Sequence, residues 1–138
     1  MRAGVTQFTT STDAGELCER SGGEGWDLVV HCATGLRALE LSFEIVRRGG
    51  TVIVIGGAPD AEQFQISAHA FVLRDLHIEG LLGYTPRSWV RTLDLLADGK
   101  LQLGDLITHR TRLDRFSDAL RFLQSRSEPT GKVAVTFA

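Results

Sequence analysis

The sequence has two cysteines, Cys18 and Cys32, and no apolar run as long as a membrane-spanning helix. Two cysteines do not make a disulfide framework and their spacing is not that of a zinc site, so we expect reduced thiols. His31 precedes Cys32, but adjacent strand residues point to opposite faces, which argues against a metal site there. With no apolar stretch of about 18 residues and no signal-peptide core, we expect a cytoplasmic chain that does not enter a membrane.

An excess of charge of one sign is also absent, because 15 Lys and Arg against 17 Asp and Glu give a formal net charge of -2. No basic run or basic helical face occurs, so neither nucleic acid nor an anionic membrane is predicted as a partner. Hydrophobic residues make up 43% of the chain and charged residues 23%, which is typical of globular proteins. A chain of 138 residues is long enough to bury one core.

The centre of the chain has the pattern of a strand, a helix and a strand. Short apolar runs occupy residues 27–31 and 50–55, and between them residues 36–48 place apolar side chains at helical spacing. Both runs are apolar on both faces, which predicts parallel strands in a sheet that is covered on each side. Ligands bind beyond the carboxyl ends of such strands, and here both ends continue into small residues, at 32–35 and 56–59.

The remaining elements follow from periodicity and helix caps. Asp13 and Thr34 are predicted N-caps, Gly49 is the predicted end of the central helix, and Thr85-Pro86 predicts another helix start. The strand at 76–82 has polar residues on one face, which predicts a sheet edge or a partner contact. We predict further strands at 3–10, 76–82, 105–109 and 132–137, and helices at 13–21, 68–74, 86–98 and from Asp114 onward.

Five stretches carry a resemblance to a known family. They are GWDLVVHCATG at 25–35, RRGGTVIVIGGAP at 47–59, LHIEGLLG at 76–83, GDLITHRTRLDRFSDAL at 104–120 and GKVAVTF at 131–137. In this order and spacing they resemble the carboxyl-terminal part of the medium-chain, zinc-type alcohol dehydrogenase family. The resemblance implies an α/β fold: part of a Rossmann-type, mostly parallel sheet with flanking helices, followed by a C-terminal segment of helix and strand.

The same resemblance implies two domains and a cofactor. Residues 1–84 would be the C-terminal part of a dinucleotide-binding domain, and residues 85–138 a segment that in the family returns to the catalytic domain. The cofactor would be NAD or NADP, which exchanges a hydride with an alcohol or another small substrate. The residues implied to contact it are Ala33, Thr34, Gly35, Ile55, Gly56, Gly57, Leu81, Gly83 and Lys132.

Each of these residues has an implied role. Residues 33–35 would flank the adenosine ribose, residues 55–57 would lie along the nicotinamide ribose and ring, and Leu81 and Gly83 would offer backbone groups to the carboxamide. Lys132 would stand near the pyrophosphate, with a solvated lysine at a strand end as the alternative. His109, also within the resemblance, we expect to be hydrogen-bonded scaffold.

The phosphate-binding pattern GxGxxG is missing from the sequence. The glycine-rich turn at 22–25 does not replace it, because phosphate-binding glycines follow a strand and open a helix. The family's zinc ligands and proton relay lie in an amino-terminal domain without counterpart here, so we predict no catalytic residue and no metal ligand. The chain is expected to begin inside the cofactor domain and to bind NAD or NADP weakly or not at all by itself.

Three functional hypotheses remain open from the sequence. The first is a portion of an NAD(P)-dependent oxidoreductase that is inactive alone, the second a non-catalytic association module, and the third one half of a split dehydrogenase. In the Rossmann strand order the strand at 3–10 is separated from residues 27–31 by strands that this sequence lacks. It would pair with residues 27–31 directly, pair with strands of another chain, or stay loose. A homodimer through residues 76–82 is also expected.

Overall fold

The computed structural model describes residues 5–55, 63, 65–125 and 127–137. They form two compact units, one of residues 9–84 and one of residues 5–8 with residues 85–137, so that the chain divides between Phe8 and Thr9 and again between Tyr84 and Thr85. Within the described ranges, no helix has the length and apolar character needed to cross a membrane.

The unit of residues 9–84 contains a parallel three-stranded sheet with helices, which confirms the predicted α/β class. The strand order is β1-β2-β3, and both neighbouring pairs are parallel. In register, Val30 lies opposite Ile53, and Val52 lies opposite Ile78. The elements are α1 (Ala14–Glu19), β1 (Trp26–His31), α2 (Leu36–Ile45), β2 (Val46–Val54), α3 (Ala68–Leu73) and β3 (His77–Gly80).

The core of this unit lies on one face of the sheet. Its buried members are Phe43, Val46, Val52 and Leu76, and Val29, Leu39, Val54 and Phe71 pack against them. Side chains alternate along a strand, so Leu28 and Val30 of β1 point to the other face, where they are 53% and 47% exposed. The expectation of a sheet covered on both sides is therefore not met among the described residues.

The junction between α2 and β2 differs from the sequence prediction. The helix ends at Ile45 rather than at residue 48, and Val46 already belongs to β2. The cause is a distant side chain: the Arg74 guanidinium donates to the carbonyl oxygen of Phe43 at 2.7 Å and to that of Val46. These bonds satisfy carbonyls at the helix end. Gly49, the predicted helix end, lies inside β2.

The amino-terminal strand predicted at 3–10 is not formed by residues 5–10, while residues 3 and 4 lie outside the described part of the chain. A strand needs a hydrogen-bonding neighbour, and residues 5–10 pair with no strand of the described sheet, which consists of β1, β2 and β3. Direct pairing with β1 is thus wrong for residues 5–10.

The predicted cap of α1 is confirmed, since Asp13 Oδ1 accepts from the Glu16 amide at 2.8 Å.

The second unit contains α4 (Pro86–Ala97), β4 (Ile107–Arg112), α5 (Phe116–Ser125) and β5 (Lys132–Thr136). Strands β4 and β5 form a two-stranded parallel sheet. The cap of α4 is as predicted, because Thr85 Oγ1 accepts from the Ser88 amide at 3.1 Å. Strand β4 begins later than predicted because residues 104–106 form a 3-10 turn, and Asp114 lies in a second such turn before α5.

We expect Arg74→Met to destabilise the protein by about 2 kcal/mol, because it removes the hydrogen bonds that the guanidinium donates to two carbonyl oxygens at the α2–β2 junction. The matched control is Arg48→Met, which removes an exposed ion pair with Asp75 and should cost less than about 1 kcal/mol. Urea unfolding followed by circular dichroism measures both variants. Equal unfolding midpoints for the two would contradict the structural role of Arg74.

Candidate functional site

The carboxyl ends of the three parallel strands lie side by side at one edge of the sheet. Beyond the strands, the Ile55 amide donates to the His31 carbonyl at 2.9 Å, and the Leu81 amide donates to the Val54 carbonyl at 3.0 Å. These two bonds hold the residues that leave β1, β2 and β3 at a common level. A crevice outside such strand ends is where open parallel sheets bind ligands.

The loop after β1 contains three of the predicted contact residues. Ala33 and Thr34 are exposed, and Gly35 is half-buried at the start of α2. Gly35, not Thr34, is the N-cap of α2, and it provides no capping side chain. Its backbone angles of φ 102° and ψ 143° belong to a region that only glycine adopts readily, so the turn into α2 depends on glycine here.

The ends of β2 and β3 contain further predicted residues. Ile55 and Leu81 are 51% and 42% exposed, so their apolar side chains are available to a ligand. Gly83 follows with a φ of 71°. Gly56 and Gly57 lie outside the described residues. Among the described residues of this unit, the structure therefore brings the predicted positions together along one edge.

A cavity of about 770 Å3 opens at the amino-terminal end of α2. Its size is within the range of small-molecule sites. Sequence reasoning identified Thr34 and Gly35 in this wall but missed Thr12 and Arg37. Arg37 could have been noticed as a cation in the first turn after a glycine cap, whereas nothing in the sequence indicates that Thr12 approaches α2. The cavity is lined by Thr12, Thr34, Gly35, Leu36, Arg37, Ala38 and Leu41.

The charge of Arg37 is largely satisfied within α2. Its Nη1 lies 2.5 Å from Glu40 Oε2 and 3.7 Å from Glu44 Oε1. The hydrogen bond that Arg37 donates to Glu40 raises the pKa of the Arg37 guanidinium, and the charges of Glu40 and Glu44 raise it further. The guanidinium is 75% exposed, so it can still move, but two carboxylates compete with any anion for it.

A buried polar pair, His31 and Ser42, joins β1 to α2 next to the loop at 33–35. His31 is 5% and Ser42 is 6% exposed, and His31 Nδ1 lies 3.4 Å from Ser42 Oγ. The Ser42 hydroxyl donates to the Ala38 carbonyl at 2.8 Å, so its oxygen is left to accept from the imidazole. The pair fixes the end of β1 on α2, and its burial keeps it away from a ligand in the crevice.

Lys132 belongs to the other unit, where it begins β5 opposite Ile107 and is exposed. His109, on β4, has partners for both ring nitrogens: Thr108 Oγ1 lies 2.8 Å from Nδ1, and Glu128 Oε1 lies 3.3 Å from Nε2. The ring also packs against Phe122, with centroids 4.4 Å apart. His109 is therefore hydrogen-bonded scaffold, as predicted.

The described residues contain no group of three or more His, Cys, Asp or Glu side chains arranged to hold a metal ion. They do not fit a zinc site, and we derive no step through zinc. Cys18 is half-buried and Cys32 exposed, and both are free thiols. The strand-end edge can thus hold a flat ligand against backbone and apolar groups, and none of its described side chains forms an acid–base pair.

Solved structures share this fold. An alcohol dehydrogenase, TADH, from Thermus sp. ATN1 superposes with a TM-score of 0.83 at 24% identity, covering 93% of this chain and 36% of that protein. A zinc-binding dehydrogenase from Sinorhizobium meliloti 1021, solved with NADP bound, gives a TM-score of 0.69 at 27% identity over 83% of this chain and 32% of that protein.

Curated relatives are dehydrogenases and reductases. An L-threonine 3-dehydrogenase of Chelativorans sp. is 27% identical over 113 residues, which are 81% of this chain and 31% of the relative. A D-xylulose reductase of Saccharomyces cerevisiae is 27% identical over 77% of this chain and 28% of its own length. The chain thus spans about a third of the length of these relatives. A family model described as zinc-binding dehydrogenase matches residues 1–98, and the chain belongs to that family.

Proposed function

We propose that this chain supplies part of the cofactor site of an NAD(P)-dependent oxidoreductase and that it has no turnover alone. The observation that carries the proposal is the common edge formed by the ends of β1, β2 and β3, where Ile55 and Leu81 are tied to neighbouring strands. Families of this fold bind dinucleotides at that edge. When bound, the nicotinamide ring would accept or donate the hydride.

Named groups of this chain would hold the cofactor. The loop at 33–35 and the cavity beside it would hold the adenosine, because the cavity wall combines threonine hydroxyls with leucine side chains. Ile55 would lie against the nicotinamide ribose and ring, together with Gly56 and Gly57. Leu81 and Gly83 would offer backbone groups to the carboxamide. Lys132 is proposed to meet the pyrophosphate, where its exposed ammonium would act as a point charge.

Binding by the chain alone should be weak or absent. The glycine pattern whose backbone N–H groups hold phosphates is missing from the sequence, and Arg37 is engaged by Glu40 and Glu44. The zinc and the proton relay are proposed to belong to the larger dehydrogenase architecture, as is the small-molecule substrate. NAD and NADP remain equal candidates. The proposed setting is cytoplasmic.

Association is the second part of the proposal. Strand β3 is at a sheet edge among the described strands, and all four of its residues are exposed. An edge strand invites pairing with a second copy, which supports a homodimer through residues 76–82.

The exposed face of β1 also favours an alternative, an association module or one half of a split dehydrogenase. Leu28 and Val30 leave this face half-exposed, and the described sheet has no strand beyond β1. A complementary chain would cover both features.

Titration with NADH and NADPH, followed by energy transfer from Trp26 and Trp89, tests the cofactor proposal. We expect a dissociation constant of about 1 mM or weaker, because phosphate contacts are missing, and no turnover of alcohols. Micromolar affinity with turnover would show that the chain is sufficient by itself. No change in fluorescence up to millimolar cofactor would fit both a fragment that lacks the phosphate contacts and an association module.

Gly35→Ala should destabilise the protein by about 1–3 kcal/mol, because its φ of 102° is strained for any residue with a Cβ. The matched control is Gly80→Ala at the end of β3, where an added Cβ meets nothing within 4 Å and φ is not positive. Thermal unfolding measures both variants. A neutral result for Gly35→Ala would mean that the loop relaxes and that its shape is not fixed by glycine.

Ile78→Lys should convert the proposed dimer to a monomer, because a charge on an edge strand opposes strand pairing. Ile78 is 44% exposed on β3, and the control Leu28→Lys changes a residue that is 53% exposed on β1. Light scattering gives the masses, and far-UV circular dichroism checks the fold. If Leu28→Lys dissociates the assembly and Ile78→Lys does not, the interface is at β1 instead.

A further inference from the structure

The turn at 127–131 precedes β5 and is joined to β4 by two separate side-chain arms. One arm ends on Gly131, whose amide donates to Thr108 Oγ1 at 3.0 Å. The other ends on Glu128, whose Oε1 lies 3.3 Å from His109 Nε2. Thr108 and His109 are neighbours in sequence, and their side chains meet at 2.8 Å. The two arms therefore form one continuous network across the turn.

The hydrogen-bonding capacity of each group fixes the direction of this network. Because Thr108 Oγ1 accepts from Gly131, its own hydroxyl proton is free to donate to His109 Nδ1. A carboxylate can only accept, so Nε2 must carry the proton that faces Glu128. The Glu128 end therefore requires hydrogen on Nε2, and in the neutral ring this leaves a lone pair on Nδ1 that accepts from the Thr108 hydroxyl.

The surroundings restrict the ring and the backbone further. His109 packs at 4.4 Å against Phe122 of α5, with ring planes at 53°. A Cβ at Gly131 would lie 2.5 Å from the Leu106 carbonyl oxygen, so the chain passes β4 at close range immediately before Lys132. The charged side chain that His109 contacts is Glu128, at 3.3 Å.

We propose that His109 is a positioning residue, which holds the turn at 127–131 through its Nε2–H tautomer and so sets where Lys132 begins β5. An effect of His109 on cofactor binding would follow only from the proposed role of Lys132 at the pyrophosphate. The placement of the turn itself does not depend on that role, because it follows from the hydrogen bonds alone.

Side-chain 15N NMR of the full chain, at a pH where the ring is neutral, tests the tautomer directly. We expect hydrogen on Nε2 of His109. Hydrogen on Nδ1 would overturn the proposal, because that nitrogen could not then accept from Thr108.

Amide hydrogen exchange of residues 128 and 130–132 tests the positioning role. His109→Phe keeps a ring against Phe122 but loses both hydrogen bonds, and Thr108→Val removes the acceptor of the Gly131 amide. Each should speed exchange by about tenfold, and the double variant should add little to either, because they break one network. Glu128→Gln keeps an acceptor and should stay near wild type. The control His69→Phe, at an exposed position on α3, should have no effect.

Exchange rates in His109→Phe equal to those of the wild type would overturn the proposal. Circular dichroism checks that the variant is folded. Lys132→Met, titrated with NADH and inorganic pyrophosphate, distinguishes the placement of the turn from its effect on cofactor binding. If it lowers affinity and His109→Phe lowers it by a similar factor, the positioning role extends to the cofactor. If the wild type binds either ligand and Lys132→Met binds it equally well, the proposed role of Lys132 is wrong, and the exchange data alone decide on His109.

Discussion

Strand β2 is hydrogen-bonded on both sides, and the rest of the unit of residues 9–84 depends on its burial. Val46 and Val52 are 1% and 0% exposed, so the strand enters the core where α2 ends. Backbone segments at the start of β1 and within β2 lie so close to their neighbours that two positions require glycine. A Cβ on Gly25 would lie 2.7 Å from the Ile45 carbonyl oxygen, and one on Gly50 would lie 2.6 Å from Val46 Cγ2. The start of β1 and the centre of β2 are therefore set by the absence of side chains.

Elements whose ends are set by nearby residues were predictable from the sequence, and elements whose ends are set by residues far along the chain were not. Helix α4 was predictable because its cap is local: Thr85 accepts from Ser88, and proline begins the helix. The end of α2 was not, because residues 46–48 continue the helical pattern and the helix is ended by Arg74, a residue 31 positions after Phe43. A donor that arrives through tertiary folding leaves no signal in the helix sequence.

The candidate site shows the same division. The small residues at 33–35 were identifiable because ligands bind beyond the carboxyl ends of parallel strands, whereas Ile55 and Leu81 followed from the family resemblance; both lie at that edge. The wall of the neighbouring cavity was only partly predictable. Thr12 reaches it from a segment without regular structure, and the contacts of Arg37 with Glu40 and Glu44 decide how much charge it offers.

Charge distribution limits what this edge can bind. Residues 9–84 contain five Lys and Arg against eleven Asp and Glu, a formal charge of -6, whereas residues 85–138 contain nine against six, a formal charge of +3. The net negative charge of residues 9–84 offers a pyrophosphate near the strand ends no long-range attraction. Salt also screens charges that lie more than about 8 Å away. Apart from the charge proposed for Lys132, pyrophosphate binding depends on short-range backbone donors, which the missing glycine pattern would have provided. The apolar strand ends can hold a ring and a ribose, so the deficit of this chain lies at the phosphates.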